Sequence, residues 1–238
     1  MPGYVIPIMV MALVAVGIGG VVFVIFRLRT GQGLNISWRS LFLVYFYLMT
    51  VISLLVMVGG LSNLVRAGMG VALGKEFSYH ASRYMVKAPP PPVRVGERVP
   101  TPEEPEEPTP EEQEAERQKG LDRSFQEGLL NGLSFTIVGG IIWGAHLYGR
   151  RRLEREQEEG EWLHRLYVIA LLLTFGILTL TSLPQAVFDT LRYYIIEQAP
   201  EFYGPPGDRL STGIVALPLW LYYLWGTFRL VRGRAEGA

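Results

Sequence analysis

Leu133 to Gly149, LSFTIVGGIIWGAHLYG, decides the architecture, because an altered copy returns 77 positions later as Leu210 to Gly226, LSTGIVALPLWLYYLWG. The shift pairs Leu133, Ser134, Ile137, Val138, Trp143, Leu147 and Gly149 with Leu210, Ser211, Ile214, Val215, Trp220, Leu224 and Gly226. The segment before each copy repeats more loosely. Arg39-Ser-Leu-Phe opens an apolar run ending Leu64-Val65-Arg66, and His164-Arg-Leu-Tyr opens one ending Thr190-Leu191-Arg192. Internal repeats set the fold before any single element does, and here they reduce the chain to one leading segment and two hairpins.

Each apolar run is long enough for a bilayer. Tyr4 to Phe26 is 23 residues without a charge, and uncharged runs follow at Ser40–Val65, Leu129–Tyr148, Leu166–Phe188 and Leu210–Phe228. About 20 residues cross a hydrocarbon core of about 30 Å, so the expected class is an all-α integral membrane protein with five transmembrane helices. The basic residues of the first segment, Arg27 and Arg29, follow its apolar run, which reads as an uncleaved anchor rather than a signal peptide. Arg27, Arg29 and Arg39, then Arg150, Arg151, Arg152, Arg155 and Arg165, then Arg229, Arg232 and Arg234 mark the connections expected inside. The N-terminus is then out, the C-terminus in, and the two hairpins are parallel repeats. Trp38, Trp143, Trp162, Trp220 and Trp225 all fall towards the inner ends of spans, where their rings suit the headgroup region.

The expected division is an anchor helix and inner loop at 1–37, a first hairpin at 38–152 and a second at 153–238. Within the first hairpin, residues 87–118 form an insert of prolines and glutamates. Such a stretch lacks apolar residues to offset the entropy of ordering and is expected to be disordered. Towards its end Thr109 as N-cap, Pro110 at the first helical position and Glu112 three residues on form a capping box, so a helix is expected to start there and lead through Leu121 and Phe125. Pro89–Arg94, PPPPVR, reads as an extended spacer.

Composition narrows the function classes. Basic and acidic residues balance at 22 each, giving no basic surface for nucleic acid, and the absence of cysteine excludes thiolate chemistry and cysteine-bound metals. No Asp, Glu, Lys or Arg lies inside the five spans. A charge there costs at least about 2.5 to 3.5 kcal/mol and usually marks an ion path, so proton-coupled transport is disfavoured. No phosphate-binding glycine loop, H-E-x-x-H or G-x-S-x-G occurs. The chain is read as no enzyme, with no resident cofactor.

Two sets of residues are candidates for contacts. His146 is the imidazole inside a span; it could ligate a haem or pigment, with His164 near the same side, but Tyr223 replaces it in the second copy and an interfacial ring explains both. Thr136, Gly140 and Gly144 form a small-residue stripe suited to helix packing, and Ala15 and Gly19 form a shorter one. Gly59-Gly60 and Leu183-Pro184 sit at matching places in the long spans, where a kink is permitted.

The Arg-Leu-Tyr opening, the Leu-Arg ending and the Val and Trp of the following segment resemble the bacterial membrane family catalogued as domain of unknown function five-six-seven-one. The residues that carry the resemblance are Trp162-Leu-His-Arg-Leu-Tyr167 through Arg192 and Ile214–Trp220, and more loosely Ser40–Arg151, as two tandem copies. The resemblance implies a prokaryotic cell (inner) membrane setting and supplies no catalytic residues. The expected role is a non-catalytic accessory or scaffolding subunit, with the lipid bilayer and other membrane subunits as partners through its glycine-lined helices. The alternatives are a cofactor-bearing redox subunit using His146 and a small-solute transporter or sensor.

Overall fold

The computed structural model describes residues 38–80, 109–154, 161–196 and 204–235. These residues form helices only: α1 (Trp38–Leu73), α2 (Lys75–Ser78), α3 (Pro110–Glu154), α4 (Glu161–Ile195) and α5 (Pro206–Ala235). Three of them, over Phe42–Leu73, Pro110–Glu154 and Leu163–Ile195, are long and apolar enough to cross a membrane. α5 falls short of that apolarity because Trp, Tyr, Gly and Pro218 dilute its leucines. The expected anchor Tyr4–Phe26, with Ala15 and Gly19, lies outside the described residues.

Most hydroxyls in these apolar helices turn inward on their own backbone, Thr136, Thr179 and Thr190 being the buried exceptions. Thr50 donates to the Phe46 carbonyl at 2.6 Å, Ser62 to Val58 at 3.0 Å, Thr174 to Ala170 at 2.7 Å and Thr227 to Tyr223 at 2.8 Å. An unsatisfied polar group in hydrocarbon would cost several kcal/mol, and the i−4 carbonyl removes that cost locally. α1 runs unbroken through Gly59-Gly60 and α4 through Pro184, so neither place expected to permit a kink interrupts its helix.

α1 packs along α3, α4 packs along α5, and the two hairpins meet mainly through α1 and α5. The α1–α3 contact is close because glycines alternate across it. A Cβ at Gly60 would stand 2.4 Å from the Thr136 amide nitrogen, one at Gly139 would stand 2.8 Å from the Met57 nitrogen, and one at Gly132 would meet Leu64 at 2.9 Å. In the second hairpin a Cβ at Gly213 would meet the Leu183 side chain at 2.6 Å. The shared core runs through Tyr47, Val51, Leu54 and Val58 of α1, Tyr167, Leu171 and Phe175 of α4, and Ala216 of α5.

One end of the bundle is closed by the turn after α1. Gly74 takes φ +102°, a backbone conformation that favours glycine, and α2 then brings Phe77, Ser78 and Tyr79 under the helices. Phe77 packs edge-on against Tyr193 of α4. The Tyr79 ring lies against Gly70 and Gly128 and edge-on to Phe125. Arg66 ties the group together: its Nε donates to the Ser78 carbonyl at 2.6 Å, its Nη1 to Asp208 Oδ1 of α5 at 3.0 Å, and its guanidinium stands over the Tyr79 ring. Burial pushes the Tyr79 hydroxyl above its ordinary pKa, with Arg66 pulling the other way.

Residues 81–108, which include 87–108 of the proline-rich insert, lie outside the described residues. From Thr109 the chain is ordered as expected from its capping box: the Thr109 amide donates to Glu112 Oε2 at 2.9 Å and the Glu112 amide to Thr109 Oγ1 at 3.3 Å. Residues 110–118, inside the stretch expected to be disordered, are therefore the first turns of α3. At about 1.5 Å per residue, α3's 45 residues extend about 68 Å, twice what a bilayer core needs.

Two substitutions test the α1–α3 contact. Gly60→Ala places a methyl group into the α3 backbone and is expected to lower the melting temperature in detergent by several degrees, as overpacking of about 1 to 3 kcal/mol does. Gly59→Ala meets nothing within 4 Å and, gaining helix propensity of up to about 1 kcal/mol, is expected to leave stability equal or higher. Equal melting of the two variants would refute the contact.

Candidate functional site

Among the described residues, Arg150 is the one charged residue that is buried, with 6% of its surface exposed. It lies in the last turns of α3 where that helix, α1, α4 and α5 converge. Its guanidinium stands 4.8 Å from the Tyr47 ring of α1 and 4.6 Å from the Tyr167 ring of α4. The two rings meet edge-on at 5.4 Å, and Tyr167 in turn contacts Tyr223 of α5, which stacks on Phe175. Helical spacing brings Glu154 back over Arg150, their Nε and Oε1 atoms 3.5 Å apart, and the Tyr47 hydroxyl donates to the same carboxylate oxygen.

The chemistry of this junction is cohesive. A guanidinium is weakly hydrated, and two aromatic faces plus a carboxylate offset its removal from water. Arg150 Nε and Nη1 are nonetheless buried without hydrogen bonds, so the rings and the charge of Glu154 do most of the compensation. His164 lies 6.4 Å from the Tyr167 ring at the edge of this group. Among the described residues no cluster of three metal-binding side chains occurs.

His146 lies on the same helix, one turn before Arg150, and faces α1. Its Nδ1 bonds the Ile142 carbonyl at 2.8 Å and its Nε2 lies 3.3 Å from the Tyr45 hydroxyl, with the Tyr45 and Phe46 rings beside it. If Nδ1 carries the proton, Nε2 accepts from Tyr45. A haem or pigment ligand would use that Nε2 and displace the tyrosine. Tyr223, 77 positions later in the sequence, is likewise enclosed by aromatic rings of its own hairpin, Tyr167 and Phe175. The paired ring positions are thus seams within hairpins.

The expected packing residues divide. Thr136 is in the α1 contact, Gly140 makes ordinary contact with Met57 Sδ at 3.6 Å, and Gly144 has open space. The residues that approach α1 most closely are Gly132, Thr136 and Gly139, with Gly149 under the Phe46 ring. Sequence reasoning missed Arg150, which read only as the first of five topology-setting arginines. Tyr47, Tyr167 and Tyr223 gave a weak signal, each being a tyrosine near one end of an apolar helix.

Comparison with known proteins adds one finding: residues 112–200 match the family described as domain of unknown function (DUF5671). No curated protein and no solved structure matches the chain. The match covers less than half of the chain and contains one copy. It joins α3 to α4 and so straddles the two hairpins, including Trp162–Arg192 but leaving Ile214–Trp220 outside.

Arg150→Ala is expected to cost about 2 to 3 kcal/mol, less than the roughly 3 to 5 kcal/mol of a fully buried pair because Glu154 remains partly exposed. The double variant Arg150→Met, Glu154→Gln is expected to recover most of that loss. Denaturation of the purified variants measures both, and additive losses would show that the two side chains act independently.

Proposed function

We propose that the chain is a five-span, multi-pass protein of the cell (inner) membrane, N-terminus out and C-terminus in, that serves as a non-catalytic scaffold or accessory subunit. The observation that carries this reading is α3. Only 11% of its most apolar stretch is buried, against 44% in α1 and 39% in α4. Beyond that stretch, residues 110–128 continue as a helix of exposed charge, braced to the turn after α1 by Lys75 with Asp122 and by Arg117 with Glu76. A helix uncovered in the bilayer and projecting outside it has the form of an attachment element.

The two hairpins as parallel repeats are part of the same proposal. Aligning Arg66 with Arg192 puts Gly60 on Ala186 and Met57 on Leu183, while the 77-residue shift puts Thr136 on Gly213 and Gly139 on Ala216. Gly60 and Gly139 approach backbone closely, and Ala186 and Ala216 are both fully buried. Small residues at equivalent places support one packing scheme used twice. The basic residues after the first segment and within the last turns of α3 and α5 support the orientation. Arg150 supports the non-catalytic reading, since its charge is turned onto tyrosine rings and a carboxylate.

Gentle solubilisation from the native membrane is expected to recover the chain with other subunits in fixed ratio. Reversing two exposed charges of the projecting helix, Glu116→Lys with Lys119→Glu, is expected to lose those subunits without changing the thermal stability of the chain itself. Recovery of the unmodified chain alone overturns the proposal.

A further inference from the structure

α1 covers one side of α3, and no described residue covers the opposite side. Leu130, Ile137 and Ile141 there are 64%, 57% and 67% exposed, and Gly144 between the last two turns of this face has no atom within 4 Å of where a Cβ would stand. We propose that the chain's own first apolar segment, Tyr4–Phe26, packs on this face, with Gly19 against Gly144 and Ala15 against Gly140 at the border of the face, where Gly140 also meets Met57 of α1. The proposal rests on the five-span reading and assigns a neighbour to α3 within the bilayer, leaving the projecting residues 110–128 for partners.

Direction, depth and reach all favour this occupant. Tyr4–Phe26 ends in Arg27 and Arg29, and α3 ends in Arg150, Arg151 and Arg152, so the positive-inside rule makes the two run parallel. Gly19 precedes Arg27 by eight residues and Gly144 precedes Arg150 by six, which puts both at nearly the same depth. Ala15 and Gly19 are four apart, as are Gly140 and Gly144. Paired small residues on parallel helices at one depth let the backbones approach, and packing of this kind drives association in lipid, where no hydrophobic effect operates between helices.

The connection is also long enough. Residues 27–37 precede α1, whose first turns lie beside the last turns of α3: Phe46 covers Gly149 and Tyr45 faces His146. Eleven residues span up to about 36 to 40 Å. Passing α3 requires about two interaxial distances of 8 to 10 Å each. A tethered segment also competes at millimolar effective concentration, ahead of a second copy of the chain for the same face.

The natural chain contains no cysteine, so a single engineered pair reports one contact. In native membranes, oxidation of Gly19→Cys with Gly144→Cys is expected to join the two parts of the chain. They should remain together after cleavage at a protease site placed between residues 81 and 108. Gly19→Cys with Leu130→Cys, on the same face but about 21 Å further along the helix, is expected to cross-link at least tenfold less. Absence of the joined product overturns the proposal. So does a disulfide-linked dimer of the Gly144→Cys single variant, which would assign the face to a second copy. Labelling of Gly3→Cys from outside by a membrane-impermeant maleimide separates the two levels: labelling without the cross-link refutes this packing alone, and lack of labelling refutes the five-span reading with it.

Discussion

The close approach of α1 and α3 sets the positions of nearly everything else. Gly60 lies on the Thr136 backbone, and Gly139 lies on the backbone of Met57. Side chains of ordinary size would move the helices several ångströms apart, and the consequences would reach both ends. Phe46 would lose its seat on Gly149, Tyr79 its place beside Gly128, and Tyr47 its reach to Glu154. In a bilayer this constraint is decisive, because two leucine-covered helices gain little by leaving lipid for each other, whereas backbones in contact gain dispersion that lipid tails do not supply.

An arginine against tyrosine closes each end of the bundle, in different ways. Arg66 makes two good hydrogen bonds and joins α1, the turn after it and α5. Arg150 spends its charge on the faces of Tyr47 and Tyr167 and on one carboxylate. Both sit within the last turns of a long apolar helix, where a guanidinium can be shielded without the full cost of mid-bilayer burial. The apolar length between them is filled by Leu, Val, Phe and hydroxyls that are mostly self-bonded, Thr136 and Thr179 being buried without a partner, so the polar interactions that fix the relation of the two hairpins lie at the ends.

Long apolar runs and local caps were legible in the sequence; rotation about the helix axes was not. The existence and order of α3 and α4 follow from uncharged runs, which fall short of both helices' ends, and Thr109 with Glu112 marked the start of α3 because a capping box needs only neighbours in the chain. Which side of α3 meets α1 was obscured by its seven glycines between Gly120 and Gly149, which make small stripes in several directions. Gly132, Thr136 and Gly139 won that choice over Gly144. Arg150 was hidden for a different reason: Arg150, Arg151 and Arg152 are identical in type, and only the position of Tyr47 and Tyr167 on other helices separates the first from the exposed next two. The apolarity of α1 on all sides gave no phase from which to place Tyr47.

α3 is continuous from Pro110 to Glu154, and an unbroken helix is stiff along its length, bending only gently without a proline or bulge. Its projecting part is a lever. The braces to Glu76 and Lys75 grip it at Arg117 and Asp122, part-way along the projection, and the Arg150 junction holds the far end. With about 28 Å of helix in residues 110–128, a 10° tilt of the axis within the bilayer would carry Pro110 about 5 Å sideways. A load applied at that tip would be borne first by the turn after α1, which holds the helix at Arg117, Asp122, Ser124 and Phe125, and only then by the tyrosine-lined junction.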